Sequence, residues 1–224
     1  MPVSSPRPLR GPLGLLAVPV VLFALITWQV VADGPLVGVD ERVSRALVRP
    51  DRFSEVLADL GNVQVAVPVL VLALAYAAWH GRAGGVERWW LPPLAGAAAM
   101  VLVPALVIPL KEWTDRPGTP AVPPAVGYYP SGHTATAVVA YGAAALLLLP
   151  LLRSPAVRRG LLALCAALVL GASYGLVRRG YHWPLDVAAS WCLGAVLLAG
   201  MWLWLSRSTR RRSSGTPSSR TCPS

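Results

Sequence analysis

Charge is what this sequence has least of. Only 13% of its 224 residues are Asp, Glu, Lys or Arg, against 55% hydrophobic, and the mean hydropathy is +0.56. Soluble domains average about 25% charged residues, so a soluble class is excluded and a polytopic membrane protein is indicated. Acids are scarcer than bases, ten against 20, which leaves a net charge of +10. In a soluble protein that balance would suggest nucleic acid. Here Arg gathers in short flanks and tails between apolar runs, so the charge reads as membrane topology and no nucleic-acid partner is expected. The three cysteines (Cys165, Cys192, Cys222) lack metal-ligand spacing and two lie inside apolar runs. They read as packing residues, not a disulfide framework. The apolar runs are nearly free of ionisable residues, which argues against a small transporter.

What is present is a series of long apolar runs. They cover residues 12–32, 63–79, 89–110, 134–152, 161–177 and 187–206, each close to the length that crosses a bilayer as a helix. The fold class expected is all-α, a six-helix transmembrane bundle over residues 11–206. Trp28, Trp89, Trp90, Trp202 and Trp204 stand near the ends of runs, as an interfacial aromatic belt does. A cleaved signal peptide is the competing reading of the first run, with Val30-Val31-Ala32 as the cleavage site. Residues 1–10 form a basic tail, and 207–224, rich in Arg, Ser, Thr and Pro, read as a disordered basic tail. Residues 33–61 hold six of the ten acids. Phe53, Val56, Leu57 and Leu60 at helical spacing, with Gly61 as a stop, predict a short amphipathic helix on the membrane surface, serving as a lid or spacer. Six spans put both termini on one side. Twelve of the twenty basic residues but only one acid, Glu87, fall on that side, so both tails are expected in the cytoplasm.

The polar stretches 111–133 and 178–186 then share the outer face, where the active site is expected. Tyr128-Tyr129-Pro130-Ser131-Gly132-His133 leads directly into an apolar run. Pro130 holds the preceding residue extended. Ser131, Gly132 and His133 at a helix N-terminus offer N–H groups to an anion such as phosphate. His182 and Asp186 are four residues apart, and a carboxylate beside a histidine fixes its tautomer and supports its charge. His182 can therefore act as nucleophile or general base, with His133 as the partner acid. Lys111 and Arg116 add fixed positive charge for phosphoryl oxygens. No Asp, Glu or His cluster has metal-site spacing, so metal-free phosphoryl chemistry with no cofactor is inferred.

Over roughly residues 60–205 the sequence resembles the type 2 phosphatidic acid phosphatase superfamily, which includes the vanadium haloperoxidases. The resemblance is carried by Lys111 with Asp115-Arg116-Pro117, by Pro130-Ser131-Gly132-His133, and by Gly180-Tyr181-His182-Trp183-Pro184-Leu185-Asp186-Val187. It implies that His182 attacks phosphorus to give a phosphohistidine, that Asp186 orients it, and that His133 protonates the leaving oxygen. It also implies that Lys111, Arg116, Ser131 and Gly132 bind phosphate. Two family arginines are displaced. The pattern Lys-x6-Arg-Pro puts one at position 118 and Ser-Arg-x5-His puts one at 176, where this chain has Gly118 and Leu176. Either Arg116 and Arg178 or Arg179 reach the same oxygens, or the clamp is weakened.

The expected function is hydrolysis of a lipid phosphate or an isoprenyl pyrophosphate at the outer leaflet, with the bilayer as the protein's surroundings. Candidate substrates are phosphatidic acid, phosphatidylglycerol phosphate and an isoprenyl pyrophosphate of wall synthesis. A catalytically weak member that binds lipid phosphate or a partner protein is the alternative. A haloperoxidase is excluded by the membrane spans, because those relatives are soluble.

Overall fold

The computed structural model describes residues 12–213, and the N-terminal tail and residues 214–224 lie outside them. The described chain is helical, with no strand among the described residues: α1 Pro12–Val31, α2 Pro35–Leu47, α3 Arg52–Asp59, α4 Val63–Ala83, α5 Leu91–Thr114, α6 Gly132–Leu148, α7 Pro155–Arg179 and α8 Pro184–Ser213. The spans of α4 to α8 are each long and apolar enough to cross a membrane, and α1 qualifies together with α2, from which it is bent by 89°. The six-span expectation therefore holds at five to six.

Helix α6 is the hub. In its span 61% of the window is buried, against 17–39% for the other four, and it packs on α4, α5, α7 and α8. Its composition explains why. Ala135, Ala137, Ala140, Ala143 and Ala144 are all buried, and small side chains let membrane helices approach closely where no hydrophobic effect drives them together. Tyr141, on the same helix, donates to the Leu60 carbonyl at 2.7 Å and ties the hub to the end of α3.

The helices run further than the apolar runs suggested. α5 continues to Thr114, so Lys111 sits in its last turn and not in a loop. α7 begins at Pro155 and ends at Arg179, taking in Arg158 and Arg159 at one end and Arg178 and Arg179 at the other. α8 continues to Ser213, seven residues into the stretch read as a tail. Long charged side chains at span ends reach out to the interface while their backbone stays helical.

Segment 33–61 is two helices, and it is built into the bundle. In α3 the buried residues are Ser54 and Ala58, while Phe53 and Val56 of the expected apolar face are exposed. The small face is buried because α3 crosses α7 at Gly175. A Cβ added there would meet the Ala58 amide nitrogen and would lie 2.7 Å from the Ser54 carbonyl oxygen. Overpacking of this kind costs about 1–3 kcal/mol. Gly175→Ala is expected to lower the thermal unfolding midpoint in detergent, with Gly171→Ala, which meets only the Leu57 and Leu60 side-chain ends, as the milder control.

α3 opens with a capping box. The Asp51 side chain accepts from Ser54 N–H at 2.7 Å and the Ser54 hydroxyl oxygen accepts from Asp51 N–H at 3.1 Å. The Ser54 N–H, followed by the Arg178 guanidinium, holds the Asp51 carboxyl below its ordinary range. A depressed carboxyl stabilises the fold above its unfolded value, and that contribution is lost as pH falls through the folded one. Asp51→Asn should therefore be less stable than the wild type near neutrality. The gap should close as pH drops below about 4, read as unfolding midpoints across pH.

Candidate active site

The connections between α1 and α4, α5 and α6, and α7 and α8 meet at one end of the bundle. His182 lies in the turn between α7 and α8. Gly180 ends α7 in the left-handed region, at φ +74, and its N–H and that of Tyr181 return to the Val177 and Leu176 carbonyls, a glycine-closed helix end. The Thr119 hydroxyl donates to the Gly180 carbonyl. Asp186 sits in the first turn of α8, where a carboxylate suits the free N–H groups. One of its oxygens accepts from Trp183 N–H at 3.2 Å and faces His182 Nδ1 at 3.3 Å. The four-residue spacing thus works because Asp186 folds back over the start of its own helix. Nδ1 is taken by the carboxylate, which leaves Nε2 as the free ring nitrogen.

His133 is brought up by α6. Ser131 N–H donates to the Asp186 carbonyl at 3.2 Å. Ser190 Oγ lies 2.8 Å from both the Ser131 and Asp186 carbonyls. These bonds dock the start of α6 on the first turn of α8 and set the His133 and His182 rings 6.3 Å apart. Gly61 passes His133 closely, since a Cβ there would lie 2.9 Å from the His133 carbonyl oxygen. Tyr128 stands edge-on to His182 at 5.8 Å. The peptide between Tyr129 and Pro130 is cis, and the buried Tyr129 hydroxyl pairs with Thr27 of α1 at 2.7 Å.

Both histidines open onto a cavity of about 910 Å³, together with Lys111, Tyr128, Gly132 and Asn62. Lys111 Nζ donates to the Gly127 carbonyl at 2.8 Å and lies 5.9 Å from the Tyr128 ring centroid. Gly132 and His133 occupy the first turn of α6, whose N–H groups have no intrahelical acceptor. Away from this polar end the wall is apolar, formed by Val63 and Val67 of α4 and Met100, Val101, Pro104 and Ile108 of α5. Asp59 also reaches the wall, with its carboxylate accepting from the Asn62 amide at 2.8 Å. Among the described residues no three His, Cys, Asp or Glu side chains gather as a metal site.

The residues expected to clamp phosphate divide sharply. Lys111 and Gly132 line the cavity. Ser131 does not: it is fully buried, its N–H is spent on Asp186, and its hydroxyl caps Thr134 N–H at 3.3 Å. Arg116 is buried and bridges two carboxylates, Asp186 at 2.5 Å and Asp40 at 2.6 Å. Arg178 pairs with Asp51 at 2.9 Å, and Arg179 points to the Tyr181 hydroxyl and towards Glu55. No arginine lines the cavity among the described residues. At position 176 the wall carries Leu176, itself buried, and Gly175 beside it has no room for a side chain against α3. Gly118 is packed against Tyr128 and Val122.

Sequence reading missed Asp40. It is buried on α2, and its carboxylate accepts from Arg116 and from Leu185 N–H at 2.8 Å. The one available signal was that Asp40 and Ser44 fall on a single face of α2 at i, i+4.

A scan of family profiles matches residues 94–210 to the PAP2 superfamily. The match covers more than half of the chain. This protein belongs to the PAP2 superfamily. Its fold is also that of a solved PAP2 structure, described as the first transmembrane PAP2 type phosphatidylglycerolphosphate phosphatase from Bacillus subtilis. The two align with a TM-score of 0.68 at 23% identity, over 88% of this chain and 96% of that one. No curated protein matches the sequence. With its five to six helices long and apolar enough to cross a membrane, the chain is a multi-pass membrane member of this superfamily, and the cavity residues of α5 to α8 and their connections, from Met100 to His182, fall within the family match.

Proposed function

We propose that this PAP2 protein is an integral-membrane phosphatase that hydrolyses a lipid phosphate or an isoprenyl pyrophosphate through a phosphohistidine on His182. One observation carries the reading. A single cavity holds His182 on its Asp186 carboxylate, His133 at 6.3 Å, and Lys111, and continues into an apolar wall between α4 and α5. That gap fits a phosphoryl group between nucleophile and acid. The wall suits acyl or prenyl chains, so an amphiphile can lie between α4 and α5 with its phosphate at the interface.

His182 Nε2 attacks phosphorus while Asp186 supports the positive ring. The bond from phosphorus to the leaving oxygen breaks, an ester in a monophosphate and an anhydride in a pyrophosphate, and His133 gives its proton to that oxygen. His133 then takes a proton from water, which attacks the phosphohistidine. The phosphorus–nitrogen bond breaks and inorganic phosphate leaves. Lys111 and the N–H groups of Gly132 and His133 hold the phosphoryl oxygens, and each role in this route is filled by a protein group. Charge asymmetry of the loops supports cytoplasmic termini and a site on the extracytoplasmic face. Phosphatidic acid, phosphatidylglycerol phosphate (the substrate named for the Bacillus subtilis relative) and an isoprenyl pyrophosphate are the candidates.

The second reading, a protein that binds lipid phosphate without turning it over, is favoured by the three arginines committed to carboxylate and phenol partners outside the cavity. The purified protein is tested in detergent for phosphate release from these three lipids with EDTA present, beside His182→Ala. Release from the wild type alone is expected. Binding of the lipid without release from any of them would select the second reading.

A further inference from the structure

The buried charge array behind His182 is larger than a histidine and its aspartate. Asp40 and Asp186 are 0% exposed in their side chains and Arg116 between them 6%. Arg116 takes the Asp186 oxygen that His182 does not use. Left alone, that guanidinium would cancel the negative field Asp186 presents to the imidazole. Asp40 binds the other end of Arg116, so two carboxylates face one guanidinium and one net negative charge remains. It also accepts from Leu185 N–H, which pins the first turn of α8 where Asp186 sits. Asp40 does not line the cavity, and its hydrogen bonds go to Arg116 and Leu185 N–H.

We propose that Asp40 is a positioning residue for the reaction, which offsets Arg116 so that Asp186 keeps its full support of the positively charged His182 ring. This assigns Arg116 to the aspartate and not to the phosphate, and it rests on the phosphohistidine reading above. α2 thereby becomes part of the catalytic assembly through a pairing 76 residues apart in the chain.

Asp40→Asn tests this, because the amide keeps one acceptor for Leu185 N–H while removing the charge and the second acceptor, which takes the Arg116 hydrogen bond. Arg116 then neutralises Asp186, and a protonated His182 is less favoured. The other ionisable groups around His182 stay in place: His133 of α6, Lys111 of α5, Tyr128, Tyr181, and Asp59 across the cavity. The acid limb of the kcat/KM profile should move to lower pH by roughly one unit. kcat should fall roughly tenfold, with KM held within about twofold. Asp40→Glu, which keeps the charge, should retain the wild-type profile. A merely structural role would lower the yield of folded protein and leave the profile unmoved.

A second readout does not need activity. Diethyl pyrocarbonate acylates unprotonated imidazole, and the rate at the His182 peptide can be followed against pH by mass spectrometry. Its half-point should fall by roughly one unit in Asp40→Asn and return in Asp40→Asn/Arg116→Gln, where one net negative charge is restored. An unmoved half-point in the single variant overturns the proposal. If the single variant does not fold, a double variant displaced by a unit from the wild type overturns it, and one that matches the wild type supports it. A wild type that releases no phosphate removes the phosphatase reading instead, while this labelling result still decides the role of Asp40.

Discussion

His182→Ala is expected to abolish phosphate release, with a loss on the order of 10⁴-fold or more, as found when a covalent nucleophile is removed. His182 is the one imidazole in the cavity whose Nδ1 is held by a carboxylate, so its Nε2 is the atom prepared to attack. Asp186→Asn should cost less, roughly 10²–10⁴-fold. It leaves an acceptor for Trp183 N–H but destroys the charge that supports the phosphorylated ring and leaves Arg116 with Asp40 as its sole charged partner. The two variants together separate nucleophile from orienting group. Lipid binding should survive in both, since neither side chain supplies the positive charge that holds phosphate.

Lys111→Met is expected to lower kcat/KM by about 10²–10³-fold, the range for losing one preorganised group on a developing anion. The effect is large because of where the arginines are. With Arg116 committed to two carboxylates, and Arg178 and Arg179 held by Asp51 and Tyr181, Lys111 is the cavity's cation among the described residues. Lys111→Arg should recover most of the loss, since the charge is kept within reach of Gly127. If the arginines did reach the phosphate, Lys111→Met would cost only about tenfold, one charged hydrogen bond among several.

The sequence announced the spans and much of the site because those signals are local. A long apolar run needs no partner to be recognised. The His182–Asp186 spacing works within one turn and one helix start, so its meaning is contained in five residues. What could not be read is set by distant pairing. Arg116 lies near the expected clamp position, yet its partners come from α2 and α8, 76 and 70 residues away. Arg178 meets Asp51 across 127 residues. Ser131 looked like a phosphate ligand at a helix start, but docking α6 on α8 uses its N–H. The face that α3 buries was misread because apolar residues turn outward as readily as inward in a protein surrounded by lipid. Only the close approach of Gly175 shows which face is inside. Gly175 also explains why no serine stands before position 176, because α3 occupies the space a side chain there would need.

The central claim is that phosphate passes through His182. The most direct measurement is to incubate the protein with phosphatidic acid carrying ³²P in its phosphate, quench in alkali, and map the labelled peptide. The account predicts label on the peptide containing His182, stable in alkali, lost in acid, and absent from His182→Ala. Steady release of phosphate with no label on any peptide, or label carried by His133, would contradict it.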